Sequence, residues 1–146
     1  MKARLLDVNV LVALAWPAHE SHGMVRQWFA RNSRQGWATC PFTQAAFVRI
    51  VSNPSFSRDA VNPREAVQLL VENMRHPAHE FWPDEIPLPQ ALEPFHGRVV
   101  GHQQITDAYL LGLAMRKRAK LVTLDRAILS LLPKDASEPV PVELIG

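Results

Sequence analysis

Residues 5–16 read LLDVNVLVALAW, an apolar run that only two polar residues interrupt, Asp7 and Asn9. The stretch ARLL at 3–6 is typical of a short strand, and the apolar run from 8 to 16 is typical of a helix. An ionised carboxylate that is buried without partners is costly. We therefore expect Asp7 at a strand–helix junction where polar groups or a cation compensate its charge.

The same arrangement occurs again near the end of the chain. In KLVTLDRAILSLL, Asp125 follows an apolar strand and precedes a helical pattern. The carboxyl ends of parallel strands form the edge of a sheet at which ligands bind. Asp7 and Asp125 are therefore expected at that edge, each close to a helix N-terminus that favours negative charge.

Strands and helices alternate along the whole sequence. The predicted strands are 3–6, 37–41, 79–83, 120–124 and 141–145. The predicted helices are 8–16, 19–34, 43–53, 62–76, 105–118 and 126–132. This alternation predicts an α/β fold of three layers, with a central, mostly parallel sheet of about five strands flanked by helices. No polar linker separates two apolar halves, which predicts one domain over residues 1–146.

The composition is that of an ordinary globular protein. Of the 146 residues, 47% are hydrophobic and 21% charged, and the net charge is +2. The single cysteine, Cys40, excludes an internal disulfide framework. No apolar stretch reaches the roughly 20 residues that a membrane span needs. We expect a cytoplasmic protein with no membrane association.

A third aspartate, Asp107, lies in ITDAYLLGLA, in the first turn of a helix that is apolar on nearly all sides. If the three aspartates converge, their mutual repulsion requires a cation. Carboxylate oxygens without His or Cys favour Mg²⁺ or Mn²⁺ over Zn²⁺. Each aspartate has an alternative interpretation as a helix cap or first-turn acid, but capping does not explain Asp three times.

Three ordered stretches carry a family resemblance: LLDVNVLVAL, CPFTQAAFVRIVSNP and ITDAYLLGLAMRKRAKLVTLD. Together they resemble PIN-domain proteins, and specifically the VapC toxins of bacterial toxin–antitoxin pairs. The resemblance implies a PIN-like fold and a Mg²⁺- or Mn²⁺-dependent endoribonuclease that cleaves RNA. It also implies inhibition by a cognate VapB-like antitoxin, and a homodimer.

The resemblance assigns the catalytic and metal-binding positions to Asp7, Asp107 and Asp125. Supporting polar positions fall on Asn9, Thr43 and Thr123. Arg49, in a segment from Ser21 to Arg58 that contains no acid, is the arginine we expect to contact RNA phosphate.

One departure from the family pattern concerns the fourth acid. Many PIN domains have a Glu three residues after the Thr of a TxxE motif, and here that position is Ala46. Three carboxylates suit one metal ion better than two. The departure also leaves open a non-catalytic PIN-like module that only binds RNA or protein.

Two further interpretations are weaker. A phosphatase of the haloacid-dehalogenase type would need a second Asp at position 9, which is Asn9. The HxxH pairs His19/His22 and His76/His79 do not have the Glu of a zinc protease, and we expect them in loops or at the surface.

Overall fold

The computed structural model describes residues 2–134 and 140–146. Five short strands form one sheet in the order β3-β2-β1-β4-β5, and every neighbouring pair is parallel. The strands are β1 Arg4–Leu6, β2 Trp37–Thr39, β3 His79–Phe81, β4 Leu121–Thr123 and β5 Val142–Leu144. The predicted α/β class and the five-stranded parallel sheet are confirmed. No helix within the described ranges has the length and apolar character that a bilayer span requires.

Six α-helices cover the sheet in the described part of the chain. They are α1 Val8–Ala15, α2 His22–Asn32, α3 Pro41–Val51, α4 Pro63–Met74, α5 Leu88–Leu92 and α6 Ile105–Arg116. Neighbouring strand residues point to opposite faces: Leu5 and Leu121 pack in the core with α5 and α6, whereas Leu6 and Val122 pack in the core with α1 to α4. Both faces are therefore buried, which gives the three predicted layers.

Three features differ from the sequence prediction. The segment Arg126–Leu131 is a 3₁₀ helix, not an α-helix, because Pro133 follows closely and cannot continue the helical hydrogen bonds. Helix α3 begins at Pro41, with Cys40 as its N-cap, so Thr43 does not open it. Helix α5 lies in a proline-rich stretch that the sequence pattern assigned to loop.

All four histidines of the two HxxH pairs have hydrogen-bond partners within the protein. His76 Nδ1 accepts a hydrogen bond from Trp37 Nε1, and His79 lies in β3, with its ring bonded to Thr39. His22 Nδ1 lies 2.7 Å from the Ala13 carbonyl oxygen, and His19 Nδ1 accepts from the Ser21 backbone N–H. His22 lies in α2 and His79 in β3, within the predicted helix 19–34 and strand 79–83, and all four histidines are partly exposed.

Helix α6 packs closely against α5, which depends on Gly112. A Cβ at this position would collide with the backbone of Ala91. Glycine is therefore required by the close approach of the two helices, although it weakens a helix interior. This packing fixes α6, and with it Asp107, relative to the sheet.

Candidate metal centre at the carboxyl edge of the sheet

Asp7 lies directly after β1 and caps α1, and it is 4% exposed. One carboxylate oxygen accepts a 2.7 Å hydrogen bond from the Val8 backbone N–H. The other accepts a 2.8 Å hydrogen bond from the Thr123 hydroxyl. Burial raises the pKa of Asp7, and the negative charge of Asp125 raises it further, while the bonds from Thr123 and Val8 oppose the rise. Polar partners thus compensate only part of the cost of this buried charge.

Thr123 and Asn9 connect the ends of β1 and β4. Thr123 is fully buried, and its hydroxyl also accepts hydrogen bonds from Asn9 Nδ2 at 3.1 Å and the Asp125 backbone N–H at 3.1 Å. The side-chain oxygen Oδ1 of Asn9 accepts a 3.1 Å hydrogen bond from the Leu124 backbone N–H. Because β1 and β4 are paired neighbours, this network fixes the positions from which Asp7 and Asp125 project.

Asp125 follows β4 and caps the 3₁₀ helix, and its Oδ1 accepts from the Ala127 backbone N–H at 2.9 Å. Unlike Asp7, it is exposed. Asp7 and Asp125 are both helix caps, so the capping interpretation is correct for each of them. The two aspartates therefore cap helices and also lie at the same edge of the sheet.

Asp107 is half-buried in the first turn of α6. Burial raises its pKa from 3.8 to about 6, and the charges of Asp7 and Asp125 contribute to that rise. Asp107 therefore lies close enough to Asp7 and Asp125 for their negative charges to oppose its ionisation. Helix α6 begins at Ile105, with Gln104 as its N-cap residue, so the interpretation as a first-turn acid is correct for Asp107.

The three carboxylates fit a hydrated divalent cation better than a closed cage of ligands. Within residues 2–134 and 140–146, no group of three or more His, Cys, Asp or Glu side chains is arranged to hold a metal ion as the side chains stand. In Asp7 and in Asp125, one carboxylate oxygen already accepts a hydrogen bond from a backbone N–H. Mg²⁺ usually keeps several waters and needs only one or two carboxylates, and a cation would relieve the repulsion that raises the pKa of Asp107.

The remaining predicted residues lie on α3. The Thr43 hydroxyl exchanges hydrogen bonds with the backbone of Cys40 and is 1% exposed, so its evident role is to fix the start of the helix. Ala46 and Arg49 line an open cavity of about 360 Å³ together with Thr106, the neighbour of Asp107. The position of the missing Glu and the expected RNA contact therefore both border this cavity next to Asp107.

Comparison with known proteins agrees with this geometry. The model of the PIN domain family matches residues 4–131. Ribonuclease VapC38 of Mycobacterium tuberculosis is 42% identical over 136 residues, which cover 93% of this chain and 94% of the relative. Ribonuclease VapC39 of the same organism is 42% identical over 124 residues, covering 85% and 89%.

The chain belongs to the VapC family of PIN-domain ribonucleases. A solved structure of VapBC2 from Rickettsia felis, bound to a DNA fragment from their promoter, matches with a TM-score of 0.64 and 16% identity, covering 97% of this chain and 98% of that chain. At that identity the match supports the fold alone. The predicted family and the PIN fold are confirmed.

The sequence analysis of this VapC protein did not predict a second cavity near the carboxyl edge of the sheet. Phe42, Asp84 and Tyr109 line a cavity that adjoins the one beside Asp107, with Phe42 and Asp84 common to both. Asp84 comes shortly after β3, so the rule that predicted Asp7 and Asp125 could also have indicated it. The predicted strand 79–83 ends directly before Asp84, so this signal was already present in the sequence.

Proposed function

We propose that this VapC protein is the toxin of a toxin–antitoxin pair and hydrolyses RNA phosphodiester bonds with a divalent metal ion held by Asp7, Asp107 and Asp125. The observation that carries the proposal is the placement of Asp7 and Asp125 at the ends of the paired strands β1 and β4, with Asp107 in the first turn of α6. Burial, with the charges of the other two aspartates, raises the pKa of Asp107 to about 6. Such a group of opposed carboxylates favours a cation. The names of the relatives supply the reaction class.

Each residue has a separate task in this proposal. Asp7 and Asp125 approach the ion from the ends of β1 and β4, and Asp107 approaches from α6. Thr123 and Asn9 orient the carboxylate of Asp7 through the hydrogen bonds of 2.8 Å and 3.5 Å to its Oδ2. When bound, Mg²⁺ or Mn²⁺ supplies an activated water and neutralises charge on the phosphoryl oxygens.

The ionisation state of the aspartates sets when the cation can bind. Near neutral pH Asp107 is mostly ionised, because its pKa of about 6 lies below that pH. Mg²⁺ accepts carboxylate oxygens as ligands only when they are unprotonated. The chain is therefore suited to metal binding around pH 7 and above.

We further propose that a VapB-like antitoxin inhibits the protein, that it forms a homodimer, and that it acts in the cytoplasm. Membership of the VapC family supports the first two proposals. The printed name of the Rickettsia felis structure, VapBC2, adds support to the antitoxin proposal only. Co-expression with the product of an adjacent small reading frame should give a complex that co-purifies. The location remains a prediction from sequence.

The decisive experiment measures cleavage of a labelled structured RNA with Mg²⁺, with Mn²⁺ and with EDTA. We expect Asp7→Asn and Asp125→Asn to reduce the rate by about a hundredfold or more, since loss of even a supporting partner costs metal sites about 10–100-fold. Asp59→Asn is the control, because Asp59 is exposed in the loop between α3 and α4. Undiminished cleavage in both variants, or in EDTA, would refute the metal site.

A non-catalytic RNA- or protein-binding module remains the second candidate, and Ala46 is the observation that favours it. The Ala46 side chain is 8% exposed and cannot donate an oxygen to the neighbouring cavity. RNA binding without cleavage under either metal ion, by protein shown to be folded, would favour this candidate.

A further inference from the structure

A groove extends from Thr106, the sequence neighbour of Asp107, to the loop after β3. It consists of two adjoining open cavities, of about 360 and 470 Å³. The first contains Ala46, Arg49 and Thr106, and the second contains Tyr109 and the loop after β3. Phe42 and Asp84 line both cavities, so they lie where the two meet.

Tyr109, one of the residues that line the second cavity, has an unusual polar atom. The Tyr109 hydroxyl oxygen is the buried side-chain polar atom, in the ranges the structure describes, that has no hydrogen-bond partner. Tyr109 is 2% exposed. A buried hydroxyl without a partner is costly, and a ligand in this cavity that accepted its hydrogen bond would remove that cost.

Asp84 provides the free negative charge of the groove. Its neighbour Glu85 also lines the second cavity, but Lys117 Nζ lies 3.0 Å from the Glu85 carboxylate and pairs with it. Among the described residues, Asp84 makes no ion pair. Asp84 and Tyr109 line the same cavity. Burial raises the pKa of the Tyr109 hydroxyl, and the charge of Asp84 raises it further.

An exposed aromatic ring completes the groove. Phe42 is 40% exposed, and its ring centroid lies 4.6 Å from that of Tyr109. An exposed ring that is held against a buried neighbour is a suitable platform for a stacked base. Arg49, exposed at the other end of the groove, can pair with a phosphate.

The charges of the groove identify the class of ligand. A purely cationic guest would meet Arg49 at one end, and a purely anionic one would meet Asp84 at the other. A nucleotide suits both ends, with its phosphate at Arg49 and the N–H groups of its base at Asp84. RNA-binding proteins commonly recognise unstacked bases in this way, by aromatic stacking and by hydrogen bonds to the Watson–Crick edge.

We propose that Phe42, Asp84 and Tyr109 form a guanine-binding subsite that selects the RNA segment beside the scissile phosphate. A carboxylate only accepts hydrogen bonds, and guanine has two adjacent donors, N1–H and the N2 amino group. The neighbouring O6 accepts from the Tyr109 hydroxyl. Uracil has a single N–H between two carbonyl groups, and cytosine and adenine have an unprotonated ring nitrogen beside their amino group, so each repels the carboxylate. This proposal rests on the proposed ribonuclease function and adds a base preference to it.

The first test measures binding without catalysis. Ligand-observed NMR in EDTA gives the affinities of the 5′-monophosphates of guanosine, inosine, adenosine, cytidine and uridine. We expect the guanosine nucleotide to bind roughly 10- to 100-fold more tightly than the last three, with inosine, which has no N2 amino group, in between. Equal affinities for all five would overturn the proposal.

Variants assign each contact in the same assay. Asp84→Asn should abolish the preference for guanosine monophosphate. Phe42→Ala should weaken the binding of all five nucleotides. Arg49→Ala should weaken the binding of guanosine monophosphate but not that of guanosine, which has no phosphate. Asp59→Asn makes the same charge change outside the groove and should leave all affinities unchanged. A guanine preference that persists in Asp84→Asn contradicts the assignment.

Two further measurements separate this subsite from other outcomes. Stronger binding of N-acetylarginine amide than of the guanosine nucleotide, lost in Asp84→Asn, would overturn the proposal and assign the groove to a basic segment of a partner protein. Sequencing the ends cut from a randomised RNA pool should show guanine enriched beside the cut by the wild type but not by Asp84→Asn. Cleavage with no base preference contradicts the subsite while the ribonuclease function stands, whereas Asp84-dependent guanine binding without cleavage contradicts the ribonuclease function alone.

Discussion

The Thr123 hydroxyl donates a 2.8 Å hydrogen bond to Oδ2 of Asp7, a residue 116 positions earlier in the sequence. This bond joins the ends of β1 and β4, the two strands that carry aspartates into the candidate metal centre. The same hydroxyl accepts hydrogen bonds from the Asp125 backbone and the Asn9 side chain. Thr123 thus fixes the position of Asp7 relative to that of Asp125.

Replacing Thr123 tests this coupling. Thr123→Val removes the bond that lowers the pKa of Asp7 and leaves its buried partners unsatisfied, which should cost about 1–3 kcal/mol of unfolding free energy. We expect a lower Tm and weaker Mg²⁺ binding, measured by thermal unfolding and by titration. Thr123→Ser keeps the hydroxyl and should restore most of both. Equal metal affinity in the Val and Ser variants would contradict the positioning role.

The raised pKa of Asp107 predicts how the stability of the metal-free protein depends on pH. Folding favours the protonated carboxyl, so the stabilisation is fully present below about pH 4 and is lost as the pH rises through about 6. In EDTA, the Tm of Asp107→Asn relative to wild type should therefore be higher at pH 7.5 than at pH 5. A difference in Tm that does not change with pH would argue against this environment of Asp107.

Metal binding should depend on pH in the opposite direction. Protons compete with Mg²⁺ for Asp7 and Asp107, whose pKa values are both raised. The increase in Tm on adding Mg²⁺ should therefore be largest above pH 7 and should fall towards pH 5. Asp59→Asn should respond as the wild type does, and Asp107→Asn should show a much smaller increase at every pH.

Arg49→Ala tests the predicted phosphate contact of α3. Losing one phosphate contact should weaken RNA binding and reduce the slope of log affinity against log salt concentration by about 0.7. The binding measurement is made in EDTA, so that cleavage does not interfere. Arg31→Ala, an exposed arginine on α2, is the matched control. If the slope of log affinity against log salt concentration is identical for the two variants, Arg49 does not contact RNA phosphate.

Ala46→Glu tests whether the absent fourth acid limits metal binding. The open cavity beside Ala46 has room for the longer side chain, so we expect the variant to fold. An added carboxylate next to Asp107 should tighten Mn²⁺ binding by on the order of tenfold, because affinity follows the charge of the ligands. Ala45→Glu, one position away and exposed, should have a smaller effect. Calorimetry gives both the affinity and the number of ions bound.

The sequence predicted the strand-end aspartates because two rules agreed there. Apolar runs identified β1 and β4, and parallel pairing places their carboxyl ends on one edge. Local patterns could not predict the role of Thr43, since TQAA is compatible with a helix start at Thr43 or at Pro41, and the Cys40 cap decides between them. That Thr43 supports the metal centre remains a prediction.

The groove around Phe42 and Asp84 depends on tertiary packing, which explains why the sequence did not indicate it. Its walls come from the start of α3, the loop after β3 and the buried face of α6. No single stretch carries its pattern. Tyr109 looks like any core residue of an apolar helix until the structure shows its hydroxyl without a partner.

The central position of β1, between β2 and β4, has a consequence for synthesis on the ribosome. Chains emerge from the N-terminus onward, so Asp7 is made first, but its partner Thr123 and the adjoining Asp125 are added only after more than four-fifths of the chain. Until then the edge of β1 that pairs with β4 is unoccupied, and the carboxylates cannot assemble. The proposed metal centre therefore forms only after β4 has been made, and we expect a chain truncated before β4 to lack nuclease activity.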